Sequence, residues 1–284
     1  MHLAGLGAAL LASILFNVGI VLQAIDARVA PRRLALRVGL LTRLLRRPLW
    51  VLGLALGLIG VWPQAVAYSK APFVLVQPVL MLGLLIVLVL GVYILHEHVG
   101  SREVVGVLAI IGGVLLVAWG APAHSEAHRG PLAVLAVFGG LAFAGILPWL
   151  VRGTPLESGL LTIVATGCAF GATNVATKLL GDDFNAGHYG NAVLWGGAGL
   201  VMGVVATLVN MTAFQQRLAT TVVPISTSVQ TFLPIVLEPF FLVEHWGNAA
   251  DDGVPVAAGL AVALTGVILL AGSHAVSDMI AEAG

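Results

Sequence analysis

The sequence has few charged residues and almost no cysteine. Lys and Arg together number 13 and Asp and Glu another 13, so charged residues make up 9% of the 284 residues, whereas a soluble domain has about 25%. This shortage excludes an ordinary water-soluble globular domain. The single cysteine, Cys168, excludes an internal disulfide framework. The chain also lacks a phosphate-binding loop, a hydrolytic triad and a zinc-ligand spacing, so we expect no enzymatic activity, no catalytic residues and no cofactor.

Apolar residues make up 59% of the chain and are concentrated in long windows without charge or histidine. A helix rises 1.5 Å per residue and the hydrocarbon core of a bilayer is about 30 Å thick, so roughly 20 apolar residues cross it. Windows of this length occupy residues 3–25, 48–69, 71–95, 104–123, 130–151, 158–177, 189–216, 218–237 and 253–273. The sequence therefore predicts an all-α polytopic membrane protein with nine transmembrane helices.

The basic residues predict how the chain crosses the membrane. Nine crossings place the termini on opposite sides, and cytoplasmic loops are enriched in Lys and Arg. With the N-terminus outside, the inner connections contain ten arginines, and the outer connections contain three basic residues. The ten are Arg28, Arg32, Arg33, Arg37, Arg43, Arg46, Arg47, Arg102, Arg152 and Arg217, and the three are Lys70, Arg129 and Lys178. We expect a multi-pass protein of the cell membrane with its N-terminus outside and its C-terminus in the cytoplasm.

Residues 26–47 form a long polar connection with seven arginines. Leu34, Val38, Leu41 and Leu45 recur at spacings of four, three and four, which places them on one face of a helix. An apolar face surrounded by basic residues is typical of helices that lie on anionic lipid headgroups. We expect an amphipathic helix on the cytoplasmic membrane surface, with lipid rather than nucleic acid as its partner.

Three short motifs recur in the same order in the two halves of the chain. Segments 77–78, 95–98 and 113–116 correspond to segments 223–224, 242–245 and 266–269, at offsets of 146, 147 and 153 residues. Predicted helices one to four then match helices six to nine in the opposite orientation. The sequence predicts a first repeat at 1–130, a linking helix at 131–152 and a second repeat at 153–284. Inverted repeats are common in alternating-access transporters, whose substrate binds near the midplane, although duplication could also build a scaffold.

A family resemblance rests on several of these segments. They are Gly60 through Tyr68, Ala71-Pro72, Leu75-Val76, Pro78, Leu95-His96-Glu97 and the glycine-bearing helix that follows. The chain resembles the drug/metabolite transporter superfamily and is most similar to the NIPA-type magnesium transporters. The resemblance implies two inverted helical halves around a central cavity, with Mg2+ as cargo. At two positions the chain departs from the family pattern: Val61 replaces an acidic residue and Gln23 replaces a basic one.

Polar side chains inside the windows are candidates for the cargo site, because such residues are costly in a membrane and often functional. We expect the substrate to contact Gln64, Tyr68, Gln77, Asn174, Asn210, Gln230 and Glu238. Glu238 lies between Leu237 and Pro239 and would be the metal ligand if a cation is carried, or else a carboxylate near the outer interface. The neutral residues could equally form hydrogen bonds between helices. The groups around Glu97 and Glu244 are expected to end helices rather than to bind metal.

These observations predict a secondary transporter or facilitator of a small solute or cation, with Mg2+ as the cargo that the resemblance implies. An exporter of a small organic metabolite or drug is the alternative within the superfamily. A non-transporting membrane scaffold is the alternative from another class. Membrane lipid and the transported solute are the expected partners, and a homodimer stays open.

Overall fold

The computed structural model describes residues 2–70, 79–120, 130–241 and 253–282. Within these ranges the regular elements are all helical, which confirms the all-α class. They are α1 (His2–Val29), a 3-10 turn (Arg32–Leu34), α2 (Val38–Leu44), α3 (Pro48–Lys70), α4 (Gly83–Tyr93), α5 (Ser101–Gly120), α6 (Pro131–Leu150), α7 (Gly159–Asn185), α8 (Tyr189–Gln216), α9 (Ala219–Phe241) and α10 (Val254–Glu282).

Five helical segments of the described residues are long and apolar enough to cross a membrane. These are Ala4–Val29, Leu132–Leu150, Gly159–Thr177, Tyr189–Gln216 and Val254–Ala271. A sixth span results if α2 and the first part of α3 count together, although they meet at an angle of 94°. The apolar segment Val79–Tyr93 is shorter and is interrupted by a turn at Leu82. A multi-pass membrane protein is therefore confirmed, whereas the number of nine crossings stays a prediction.

Two helix pairs pack closely through small residues. In the first pair, a Cβ added at Gly19 of α1 would lie 2.6 Å from the carbonyl oxygen of Gly53 in α3. In the second pair, a Cβ added at Gly199 of α8 would lie 3.3 Å from the Cβ of Ala176 in α7. Small residues at such contacts let helix backbones approach each other, which favours association where no hydrophobic effect drives it.

The two halves of the chain meet along α5 and α10, which run antiparallel. A Cβ added at Gly113 would lie 2.6 Å from the carbonyl oxygen of Gly259, and one added at Gly266 would lie 2.5 Å from that of Gly106. The two contacts are seven residues, or two helical turns, apart on each helix. Glycine is therefore required at these crossing points because any side chain would meet backbone.

The arginine-rich connection is helical at α2, and one apolar side of this connection packs against the protein. Leu36, Leu40 and Leu44 are buried, whereas Val38 and Leu45 are 69% and 55% exposed. Leu34 and Leu41 are partly buried against the core. The segment thus has apolar residues on two sides, with Leu34 in a 3-10 turn before α2, and the amphipathic helix on the membrane surface stays a prediction.

Candidate functional site

The predicted cargo residues differ widely in exposure. Asn210 is buried at 3% exposure, Gln64 and Gln230 are half-buried, and Asn174 is exposed. Tyr68 and Glu238 belong to α3 and α9, but their side chains lie outside the described residues, as does the whole of Gln77. The described residues do not bring this set together around one cavity, so a shared cargo site stays a prediction.

Among the described candidates, Asn210 is the one with a buried side-chain atom that lacks a hydrogen bond. Its Oδ1 is buried and accepts no hydrogen bond from the described residues. It lies on the α8 face that packs against α7, because it follows Gly199 and Gly203 at helical spacing and these residues approach Ala176 and Thr173. A buried oxygen without a donor costs about 1–3 kcal/mol. An amide oxygen of this kind is a suitable ligand for a hard cation or its bound water.

Gln64 occupies the corresponding position on α3. Gly53, Gly57 and Gln64 have the same spacing as Gly199, Gly203 and Asn210. Gln64 lies six residues before the end of α3, and Asn210 lies six residues before the end of α8. The two amides therefore lie at equal distances from the C-terminal ends of their helices.

A metal cluster of acidic, histidine or cysteine ligands is not found in the described ranges. A cleft of about 350 Å³ is lined by Glu157, Ser158, Gly159, Gln216 and Arg217. It lies where α7 begins and α8 ends, and none of the predicted cargo residues lines it.

Hydrogen bonds join the helix ends on one side of the bundle, and we call this set the helix-end network. Asp26, near the end of α1, is buried and accepts a hydrogen bond from the Trp50 backbone N–H of α3 at 2.9 Å. Its other oxygen lies 3.4 Å from Nε of Arg47. Trp50 Nε1 in turn donates to Sδ of Met211 in α8 at 3.1 Å. Asp26 thus satisfies a free N–H in the first turn of α3 and stabilises its positive end.

The network continues through the backbone before α2. Leu36 has a φ of 57°, which is uncommon for a residue other than glycine. Its N–H donates to Oγ1 of Thr212 at 3.0 Å, and its carbonyl accepts a hydrogen bond from Nε1 of Trp149 at 2.7 Å. Nearby, Nε2 of Gln215 donates to the carbonyl of Ala30 at 3.2 Å. These bonds tie the α1–α2 connection to α6 and α8.

Glu97 is a buried carboxylate that joins the ends of α1 and α4 to the start of α9. It follows the end of α4, as predicted, and its side chain is only 1% exposed. It pairs with Arg28 of α1 and accepts hydrogen bonds from the backbone N–H groups of Ala219 and Thr220 at 2.8 and 2.9 Å. The Thr220 hydroxyl donates to it as well. One signal in the sequence pointed to this segment, because the Glu97-His98 pair recurs as Glu244-His245 in the second half.

Comparison with known proteins gives one match. The family model for the magnesium transporter NIPA matches residues 1–143, which is half of the chain. No curated protein and no solved structure matches the chain.

Proposed function

Because the chain belongs to the magnesium transporter NIPA family, we propose that it is a secondary transporter or facilitator that moves Mg2+ by alternating access between two inverted repeats. The family match over residues 1–143 is the observation that carries this proposal. The five apolar helices that can cross a membrane support it. We propose that the protein resides in the cell membrane with its N-terminus outside.

The α5–α10 crossing supports the inverted repeat. Gly259 follows Gly106 by 153 residues, and Gly266 follows Gly113 by the same number. If each glycine is replaced by its counterpart 153 residues away, Gly106 becomes Gly259 and Gly266 becomes Gly113. The Gly106–Gly266 contact then becomes the Gly113–Gly259 contact. A two-fold axis between the helices has this effect, since it makes the same surface face itself.

Equivalent residues in the other helices support the same symmetry. Asn17 and Asp26 of α1 are followed after 157 residues by Asn174 and Asp183 of α7. Asp26 lies 3.4 Å from Arg47 before α3, and Asp183 lies 3.4 Å from His188 before α8. The separation between corresponding residues is 157 in α1 and α7 but 146 in α3 and α8. It is smaller in the second pair because the first half has the extra α2 segment between α1 and α3. This correspondence between helix ends supports the proposed repeats.

The cargo site that we propose is built mainly from amides. Mg2+ binds oxygen ligands and loses its water reluctantly, so it usually keeps several waters. We propose that a largely hydrated Mg2+ passes between Gln64 and Asn210, with Tyr68, Gln77, Asn174 and Gln230 along the same path. Glu238 would supply the carboxylate. The Asn210 oxygen without a donor supports this assignment, because a hydrated cation offers the hydrogen bond that the described residues do not.

Mg2+ uptake by proteoliposomes, followed with an enclosed Mg2+-sensitive dye, tests the proposal. We expect uptake by the wild-type protein and a strong loss in Asn210→Leu. Asn191→Leu is the matched control, because it makes the same change at an exposed asparagine of the same helix. Removal of a buried unpaired oxygen should also raise the free energy of unfolding of Asn210→Leu by about 1 kcal/mol. If Asn210 merely joined helices by hydrogen bonds, its replacement by leucine would instead lower the free energy of unfolding.

The same liposomes distinguish the alternative functions. Flux of an organic amine or amino acid without Mg2+ flux would contradict the cation proposal and favour an organic-solute exporter. Absence of flux for every solute, together with full activity of Asn210→Leu in cells lacking the native protein, would favour a scaffold.

A further inference from the structure

The Glu97 contact connects parts of the chain that belong to different proposed repeats. Arg28 and Glu97 lie in the first repeat, at the ends of α1 and α4, whereas Ala219 and Thr220 begin α9 in the second repeat. The contact therefore crosses the interface that must change if the two repeats move relative to each other.

The local backbone brings Glu97 into this position. His96, with a φ of 53°, ends α4 in the left-handed region, and the N–H of Glu97 then donates to the Gly91 carbonyl at 2.9 Å. A Cβ added at Gly91 would lie 3.3 Å from Oε2 of Glu97. Glycine at this position leaves room for the carboxylate between α4 and the start of α9.

Glu97 accepts three hydrogen bonds from two adjacent residues of α9, in addition to its pair with Arg28. A buried carboxylate is unfavourable unless it is paired and hydrogen-bonded. Here it has the charge of Arg28, two N–H groups that have no partner within α9, and the Thr220 hydroxyl. Separation of α9 from this site would break the three hydrogen bonds from Ala219 and Thr220 together and leave Glu97 paired with Arg28 alone. Such a contact favours two discrete states, closed or open, over intermediate ones.

We propose that Glu97 is a gating residue that holds the inner end of the bundle closed as a latch. This inference rests on the proposed alternating access. Opening of this end by separation of α9 is one of the two steps that alternating access requires.

Cysteine labelling in nanodiscs tests the latch, since both sides of the membrane are accessible there. Cys168→Ala removes the only native cysteine. Ser226→Cys reports on the inner half, because Ser226 is buried seven residues after the start of α9, and Ala67→Cys reports on the outer half, because Ala67 is buried near the end of α3. The measurement is the rate of reaction of each cysteine with a soluble maleimide.

We expect Glu97→Gln to raise the rate at the inner cysteine about tenfold, which corresponds to the loss of one charge-assisted hydrogen bond, and to lower the rate at the outer cysteine. Glu103→Gln is the matched control. This half-buried glutamate lies in the first turn of α5 and accepts a hydrogen bond from the Gly100 N–H of the same repeat at 2.7 Å, so its substitution should change neither rate.

The opposite signs separate a latch from a general loss of stability. If Glu97→Gln raises both rates, or neither, the latch proposal is wrong. If that variant does not fold, Thr220→Val keeps the charge pair and should shift the rates in the same direction by a smaller factor. Absence of Mg2+ flux in the wild-type protein would contradict the proposed cargo without affecting the labelling pattern, so the two proposals fail separately.

Discussion

Alanine substitution at two adjacent glycines of α5 should have opposite effects on stability. Gly112 has no atom within 4 Å of an added Cβ, so Gly112→Ala gains helix propensity without a clash. This gain is about 0.5–1 kcal/mol. At Gly113 the added Cβ would meet the Gly259 carbonyl oxygen at 2.6 Å, the Ala263 Cβ at 2.7 Å and the Ala263 backbone nitrogen at 2.8 Å. Two of these three atoms are backbone, so α10 as a whole must move.

The net effect at Gly113 follows from these two terms. Overpacking of a close contact typically costs about 1–3 kcal/mol, which exceeds the propensity gain. We expect Gly113→Ala to lower the free energy of unfolding by about 1–2 kcal/mol, and the two variants to differ by about 2 kcal/mol. Ala263→Gly should restore part of the loss, since it removes only one of the three clashes.

Unfolding in detergent micelles, followed by circular dichroism during titration with sodium dodecyl sulfate, measures both variants under the same conditions. Wild-type protein and the Ala263→Gly single variant are the references. Equal shifts for Gly112→Ala and Gly113→Ala, or stabilisation by both, would refute the close α5–α10 crossing. Either result would also remove the strongest structural support for the inverted repeat.

Two further predictions concern the helix-end network and α2. Asp26→Ala should cost about 2–3 kcal/mol of unfolding free energy, because the buried Trp50 N–H loses its acceptor and α3 loses a favourable charge. Asp26→Asn should cost less, since it keeps an acceptor; equal losses in the same micelle assay would contradict this. Leu40→Ala should cost about 2–5 kcal/mol because Leu40 is fully buried. Val38→Ala, at a residue that is 69% exposed, should stay within about 0.5 kcal/mol, and an equal loss at both positions would show that the outer face of α2 is covered.

The helical class was predictable because long uncharged windows have few alternatives in a membrane. A helix occupies part of each predicted window. The covered face of α2 was not predictable in the same way. Leu36 and Leu40 repeat at helical spacing just as Leu41 and Leu45 do, and periodicity alone cannot tell which apolar face packs against the protein and which remains outside.

The importance of Glu97 also depended on information that a sequence does not contain. Its partners Arg28 and Ala219 are 69 and 122 residues away, and only the fold brings them together. Local sequence correctly predicted that α4 ends near Glu97. Asn210, in contrast, could be chosen as a candidate from the sequence, because a polar side chain within an apolar window is costly and often functional.

The pairing of α5 with α10 affects when the protein can finish folding. Val254, the first residue of α10, is synthesised 134 residues after Gly120, the last residue of α5. At roughly 5–20 residues per second, this delay is roughly 7–27 s. During that time the glycine face of α5 has no partner from its own chain. The first half therefore enters the membrane with its packing incomplete, and a chain that stops before α10 could never complete it.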